Sequence, residues 1–269
     1  MRTRTETLGT AVAAAYRGTF APEAPEPVPG GDVPPGWEGL YFPFDAPLAA
    51  LRPDGSPARD GVLPPIDLPR RMYAGEDTTF HRPLRYGADV EQRSRAGKVT
   101  EKVGRSGRLV FADVVREYRV EGDLAITSTW HDVFLEEAAP GAPVRSPAPA
   151  PGWRPAWRET LTLDARVLFR FSAITFNTHR VHYDRDWARE VEGLADLLVH
   201  GPLLRILVLD ALLRHVPGIA VSEVAYTSHA PVLVDTEIEL RGRAIDGGHE
   251  IVVSAAAGLL ARGVALTAA

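Results

Sequence analysis

The sequence contains no cysteine. Disulfide staples, thiolate metal sites and cysteine nucleophiles are therefore excluded. It also lacks a positive excess: 30 Lys and Arg stand against 35 Asp and Glu, for a net charge of −5 with histidine neutral. Proteins that bind DNA or RNA carry a basic footprint, so nucleic acid is not an expected partner. Long apolar runs are missing as well. The most apolar stretch, PLLRILVLDALL from Pro202, falls short of the ~20 residues that a spanning helix needs and carries Arg205 and Asp210. The opening MRTRTETLGT has no apolar signal-peptide core. These absences lead us to expect a soluble, cytoplasmic protein with no membrane partner.

What is present is ordinary globular composition, 45% hydrophobic and 24% charged over 269 residues. That length suits one large domain or two ordinary ones. Composition shifts sharply at AAPGAPVRSPAPAPGWRP, where six prolines fall between Pro140 and Pro155. Such a segment behaves as a semi-rigid extended linker. We expect an N-terminal unit over 1–138, a linker over 139–155 and a C-terminal unit over 156–269.

Both halves contain strand-like text. In the first, DTTFHRPLRYGADVEQRSRAG, RLVFADVVREYRV and LAITSTWHDVFL carry β-branched and aromatic residues with partial alternation. In the second, SHAPVLVDTEIELRGRAID and HEIVVSAAAGLLARGVALTA read the same way, and TLTLDARVLFRFSAIT is also strand-like. A faint repeat links the halves. HRPLRYGADVEQRSRA from His81 and HAPVLVDTEIELRGRA from His229 share His-x-Pro, an Asp-x-Glu step and a closing Arg-x-Arg-Ala. With the central linker, this suggests a duplicated β-rich unit.

One helix stands out, from Gly201 to Val216. Its leucines and isoleucine cover most of the circumference, which marks a buried helix. Pro202 suits the first turn, and Pro217-Gly218 stops it. A buried helix amid strands predicts a sheet wrapped around it, the hot-dog arrangement, with a helix lying on one face of a sandwich as the alternative.

Polar chemistry concentrates at FNTHRVHYDRDWARE, from Phe176. Asn177 and His182 lie five apart where the strand-like text gives way to a loop. A neutral imidazole can move a proton near neutral pH, and an asparagine amide can hold a water against it. The free N–H groups at Gly201, where the buried helix starts, suit a developing oxyanion. Together these fit addition or removal of water beside a thioester carbonyl. A metal site built from His179, His182, Asp184 and His200 is the second reading, but no helical His-Glu-x-x-His fixes a ligand set. The plain structural reading makes Asp184 a helix N-cap and gives His179 a ring bond to a backbone carbonyl.

FRFSAITFNTHRVHYDRDWAREVEGLADLLVHGPL resembles the MaoC-like (R)-specific enoyl-thioester hydratases and dehydratases. It is especially similar to their double hot-dog branch, the hydroxyacyl-thioester dehydratase type 2 group, which includes mesaconyl-C4-CoA and itaconyl-CoA hydratases. The superfamily's Asp-x-Asn-Pro-x-His falls on Asn177-Thr178-His179-Arg180-Val181-His182, and its His-Gly-Met-Leu on His200-Gly201-Pro202-Leu203. In the first half, GVLPPIDLPRRMYAGEDTTFHRPLRYGADV and VTEKVGRSGRLVFADVVREY are similar to the branch's amino-terminal half.

The resemblance implies a double hot dog acting as a hydro-lyase on an acyl-CoA, without metal or redox cofactor. An acyl carrier protein is the less expected thioester donor for an acidic chain, and a homodimer is allowed. In this frame His182 is the base, Asn177 orients water, and the Gly201 N–H donates to the thioester oxygen. Pro202 has no N–H to offer. His179, Arg180, Tyr183, His200 and Leu203 are the candidate substrate contacts. For Arg180 and Tyr183, surface charge and packing compete with that role. The superfamily's acidic residue is here Asn177, so His182 is the titrating member of the pair. PPGWEGLYFPFDAPLAALRPDG is poor in helix formers, so the first half should lack a full central helix and leave room for an acyl group. Arg70-Arg71 or Arg93 and Arg95 could meet CoA phosphates, with solvated surface charge as the plainer reading. A non-catalytic acyl-thioester-binding protein on the same fold is the rival.

Overall fold

The computed structural model describes residues 1–57, 61–104, 107–137 and 147–267. Residues 139–146 of the proline-rich linker lie outside the described residues, and 147–155 form neither helix nor strand.

The chain runs β1 (Arg2–Thr7), α1 (Thr10–Phe20), short 3-10 turns at Trp37–Leu40 and Leu48–Ala50, β2 (Arg70–Phe80), β3 (Asp89–Gly104), β4 (Gly107–Val120) and β5 (Asp123–Leu135). It continues with β6 (Trp157–Thr162), α2 (Ala165–Thr175), a 3-10 turn at Arg180–His182, α3 (Arg185–Glu190), α4 (Gly201–His215), β7 (Val221–Ser228), β8 (Glu237–Ile245), β9 (Gly248–Ala255) and β10 (Gly258–Thr267).

All ten strands belong to one antiparallel sheet of order β1-β3-β4-β5-β2-β7-β10-β9-β8-β6. Read inward from each edge, the two halves have the same order, first-third-fourth-fifth-second. This is a double hot dog, and its halves join along β2 and β7 into one continuous sheet. The faint repeat marks equivalent places. His81 follows β2 and His229 follows β7. The N–H groups of His81 and Arg82 both donate to Ala125 O, as those of His229 and Ala230 both donate to Leu260 O.

The helix α4 is buried from Leu203 to Leu212, inside the curve of the sheet. Two of its buried residues, Arg205 and Asp210, are charged, and their partners come from the first half. Arg205 donates to Glu38 Oε1 at 3.1 Å and Thr78 Oγ1 at 2.7 Å. Asp210 accepts from the Trp37 indole and the Tyr16 hydroxyl, each at 2.8 Å. Buried polar groups persist only when so paired. The filling of the second hot dog therefore anchors the first, whose described residues supply two 3-10 turns, and no longer helix, where a central helix would lie.

One sequence reading needs correction, and one segment was missed. TLTLDARVLFRFSAIT is a strand only as far as Thr162; the rest is α2. Asp164 caps it, accepting from the N–H groups of Arg166 and Val167 at 2.9 and 3.1 Å. The local alternation of Val, Phe and Arg suggested a strand, yet the buried residues Leu168, Phe171 and Thr175 follow helical spacing. The segment β1–α1 was not anticipated, because RTRTET is polar on both faces and leaves hydrophobic alternation nothing to report.

Candidate active site

Asn177 is placed by the end of α2. Phe176 adopts a left-handed backbone, φ 52°, that non-glycine residues rarely take. Its N–H returns to Ala173 O, and the Asn177 N–H to Ser172 O at 2.8 Å. This is a Schellman ending with phenylalanine where glycine is usual. The reversal turns the next residues toward the start of α4. Asn177 Oδ1 then accepts the His179 N–H at 3.0 Å, which leaves the side-chain NH₂ as the free end.

The 3-10 turn that follows buries His182. Its Nδ1 lies 2.7 Å from Leu198 O. Only an Nδ1–H can donate to that carbonyl, so Nε2 carries the lone pair. The ring stacks on His200, centroids 3.6 Å apart and planes within 19°. His200 Nε2 lies 2.9 Å from Ser172 Oγ, and its ring meets Phe171 edge-on. Burial, with a smaller push from His179, lowers the His182 pKa to about 3, against the pull of the Leu198 bond. Burial also drives His200 well down. His179 falls to about 3 through burial first and then Arg71 and Arg52. All three rings are thus neutral at physiological pH.

These groups line a cavity of about 280 Å³, whose walls include Asn177, His179, His182, Gly201, Tyr73 and Trp130. The first N–H of α4, at Gly201, has no acceptor among the described residues. The helix start presses on Tyr73: a Cβ at Gly201 would sit 2.3 Å from that ring. The structure thus brings Asn177, His179, His182 and Gly201 to one cavity. Other sequence candidates lie elsewhere. His200 backs His182, and Leu203 is buried while Leu204 reaches the wall. Arg180 pairs with Asp184 at 2.6 Å and covers Trp187. Tyr183 is half exposed and donates to Thr178 O. Asp184 is the N-cap of α3, accepting the Trp187 N–H at 3.0 Å. The carbonyl-bonded ring is His182, not His179.

Sequence reasoning missed what the first half brings. The loop 52–57 packs onto the loop that carries Asn177 and His182. Asp54 O accepts the Arg180 N–H at 2.7 Å, and Gly55 O accepts from Thr178 Oγ1 at 2.7 Å. Asp54 Oδ2, buried and without a hydrogen bond, stands 3.9 Å from His179 Nε2. Asp54, His179 and Glu192 each offer a ligand atom within 4.8 Å of the others. Two guanidiniums compete with any cation there: Arg70 holds Glu192 at 3.0 Å, and Arg52 lies 3.6 Å from Asp54. Arg70 and Arg71 are not solvated charges, since Arg71 pairs with buried Asp132 at 2.6 Å. The Asp-Gly-Ser loop is itself an ordinary turn signal, so only the fold reveals its neighbour.

The fold agrees with the comparisons. Residues 36–234 match the family described as hydroxyacyl-thioester dehydratase type 2. The chain belongs to that family. It is 40% identical to mesaconyl-C(4)-CoA hydratase from Chloroflexus aurantiacus over 227 residues, 84% of this chain and 79% of that protein. Among solved structures, HtdX from Mycobacterium tuberculosis superposes with a TM-score of 0.73 over the whole of both chains at 19% identity. A second Mycobacterium tuberculosis protein, reported to have a double hotdog fold, matches with a TM-score of 0.63 at 16% identity, covering 99% of this chain and 96% of that one. As a type 2 dehydratase the chain is a hydro-lyase of acyl thioesters. No helix among its described residues is long and apolar enough to cross a membrane.

Proposed function

We propose that this hydro-lyase adds water reversibly to an enoyl-CoA, with His182 as the base, Asn177 as the water holder and the Gly201 N–H as the oxyanion donor. The observation that carries the reading is the His182 ring, held through Nδ1–H on Leu198 O, so that its one lone pair belongs to a cavity that Gly201 also lines. In the hydration direction, Nε2 takes a proton from a water held by the Asn177 amide. The water oxygen bonds to the β-carbon, and the alkene electrons move onto the thioester oxygen. The Gly201 N–H and the positive end of α4 stabilise that oxygen. The proton then passes from His182 to the α-carbon as the carbonyl re-forms, and dehydration is the reverse.

A base held near pKa 3 is always ready but weak. The enolate charge forming beside it raises its proton affinity during the step, since an opposite charge favours the imidazolium. CoA as thioester donor rests on the 40% identical hydratase and the acidic chain; the rival on the same fold is an acyl-thioester-binding protein without catalysis. The unit boundaries follow the linker: 1–138 and 156–269, joined by 139–155. The test is direct. Mixing the protein with enoyl-CoA should bleach the absorbance of the conjugated double bond as water adds. Tight binding without bleaching across short, branched and carboxylated enoyl-CoAs would establish the binding protein instead.

A further inference from the structure

The proposed chemistry leaves one hydrogen bond of the attacking water unassigned. A water has two O–H groups and two lone pairs. One O–H goes to His182 Nε2, and one lone pair faces the β-carbon. The other lone pair can accept from the Asn177 NH₂, because Asn177 Oδ1 is turned to the His179 N–H at 3.0 Å. The second O–H still needs an acceptor, since a donor left unmet in such a site is costly.

His179 lines the same cavity, its ring edge-on to that of His182 with centroids 5.5 Å apart. Its two nitrogens differ. Nε2 is sealed from solvent, has no hydrogen bond and faces Asp54 Oδ2 at 3.9 Å. Nδ1 has no hydrogen bond among the described residues and, unlike Nε2, keeps accessible surface. Asp54 is fixed by its own turn: Oδ1 accepts from the Ser56 N–H at 2.8 Å and the Ser56 hydroxyl at 2.7 Å. Arg52, 3.6 Å from Oδ2, gives its hydrogen bonds to Leu68 O and Pro69 O instead. A neutral imidazole has one N–H and one lone pair. A carboxylate oxygen attracts the N–H and repels the lone pair, so the His179 proton belongs on Nε2 and its lone pair on Nδ1. Catalytic hydrogen bonds are often long before substrate binds. Burial, and then Arg71 and Arg52, keep the ring neutral.

We propose that His179 is a further catalytic residue, whose Nδ1 accepts the second O–H of the attacking water, and that Asp54 of the first half is the positioning residue that fixes its tautomer. The proposal rests on the catalytic reading above. His179 and His182 are then opposite tautomers serving one water: His182 carries its proton on Nδ1 and His179 on Nε2. The proton balance of the step is unchanged. His182 still takes the moving proton and returns it to the α-carbon, and His179 neither gains nor loses one. In dehydration the same Nδ1 accepts from the β-hydroxyl while the His182 imidazolium protonates its oxygen.

The experiment reads tautomer and rate together. Nitrogen NMR of the histidine rings in wild type should show the proton on Nε2 of His179 and on Nδ1 of His182, the two rings being assigned by their loss in His179→Asn and His182→Ala. Asp54→Asn keeps an oxygen for the Ser56 bonds, so its NH₂ faces His179 Nε2 and should move the ring proton to Nδ1. On the best enoyl-CoA, Asp54→Asn and His179→Leu should each lower kcat by about 10- to 10²-fold with KM little changed. His179→Asn sets an amide oxygen near the place of Nδ1 and should recover part of that loss, which a merely structural role would not. The wild-type spectrum and Asp54→Asn carry the test if His179→Leu does not fold. A proton on Nδ1 of His179 in wild type, or wild-type kcat in His179→Leu beside an inactive His182→Ala, would overturn the proposal and leave the catalytic reading standing. Wild-type kcat in His182→Ala would overturn that reading and this proposal with it.

Discussion

At the scale of single residues, the proposed mechanism divides the chemistry unequally between His182 and Asn177. Proton transfer by a positioned side chain contributes about 10²- to 10⁴-fold. His182→Ala should cost the upper part of that range, measured as kcat on the best enoyl-CoA. Asn177→Ala should cost on the order of 10²-fold, what one lost catalytic hydrogen bond costs. Asn177→Asp is sharper. It places a carboxylate beside a ring held near pKa 3 and raises it by opposite-charge attraction. Wild type should show no acidic limb from His182 above about pH 4, whereas Asn177→Asp should bring one up in a profile of kcat/KM against pH. An unmoved limb would separate the two side chains. These residues were legible because Asn-x-x-x-x-His and Gly-Pro stand close together in sequence. His200 was legible only as a histidine: its stacking beneath His182 depends on the path back from α3 to α4.

At the scale of elements, the loop of Asn177 and His182 is held from across the molecule. Gly55 has φ 81°, and a Cβ there would sit 2.0 Å from Thr178 O. Only glycine tolerates both the backbone and the contact. Gly55→Ala should therefore lower kcat by displacing residues 177–182, although residue 55 touches no reacting atom. A matching drop in kcat with KM little changed is the readout, and wild-type kcat would show that the brace is dispensable. The helix start predicts in the same way. Gly201→Ala keeps the N–H but drives a methyl into Tyr73, so it should lower both the unfolding midpoint and kcat. Metal belongs at this scale too, because Asp54, His179 and Glu192 come from three separate segments. Arg70 and Arg52 already serve those carboxylates, so activity should survive exhaustive chelation. Activity lost to chelator and restored by zinc would assign the cluster to a cation. The Gly55–Thr178, Gly201–Tyr73 and Arg70–Glu192 contacts were not legible, since each pairs a residue before the linker with one after it.

At the scale of the whole molecule, the duplication was readable from His81 and His229, and the wrapped helix from its leucines. What the pattern left out was the reason for charges inside that helix. Arg205 and Asp210 make sense only once the first half's turns are laid against α4, and a periodicity reading has no access to that. Asp210 also gives the assembly a pH dependence with a definite sign. Burial raises its carboxyl to about 6, despite the Trp37 and Tyr16 bonds that oppose the rise. An unfolded aspartate titrates near 3.9. Between those values the folded chain holds a proton that the unfolded chain has lost. Asp210 therefore adds stability at low pH, and that contribution is lost as pH rises through about 6. Asp210→Asn removes this titration and keeps the side-chain shape. Its deficit relative to wild type should be larger at pH 4.5 than at pH 7.5, by about 2 kcal/mol for a shift of this size. Urea unfolding of both proteins at the two pH values measures it. A deficit that stays constant, or grows toward pH 7.5, would mean that Asp210 is folded as an ordinary ionised carboxylate and that its bonds to Tyr16 and Trp37 outweigh its burial.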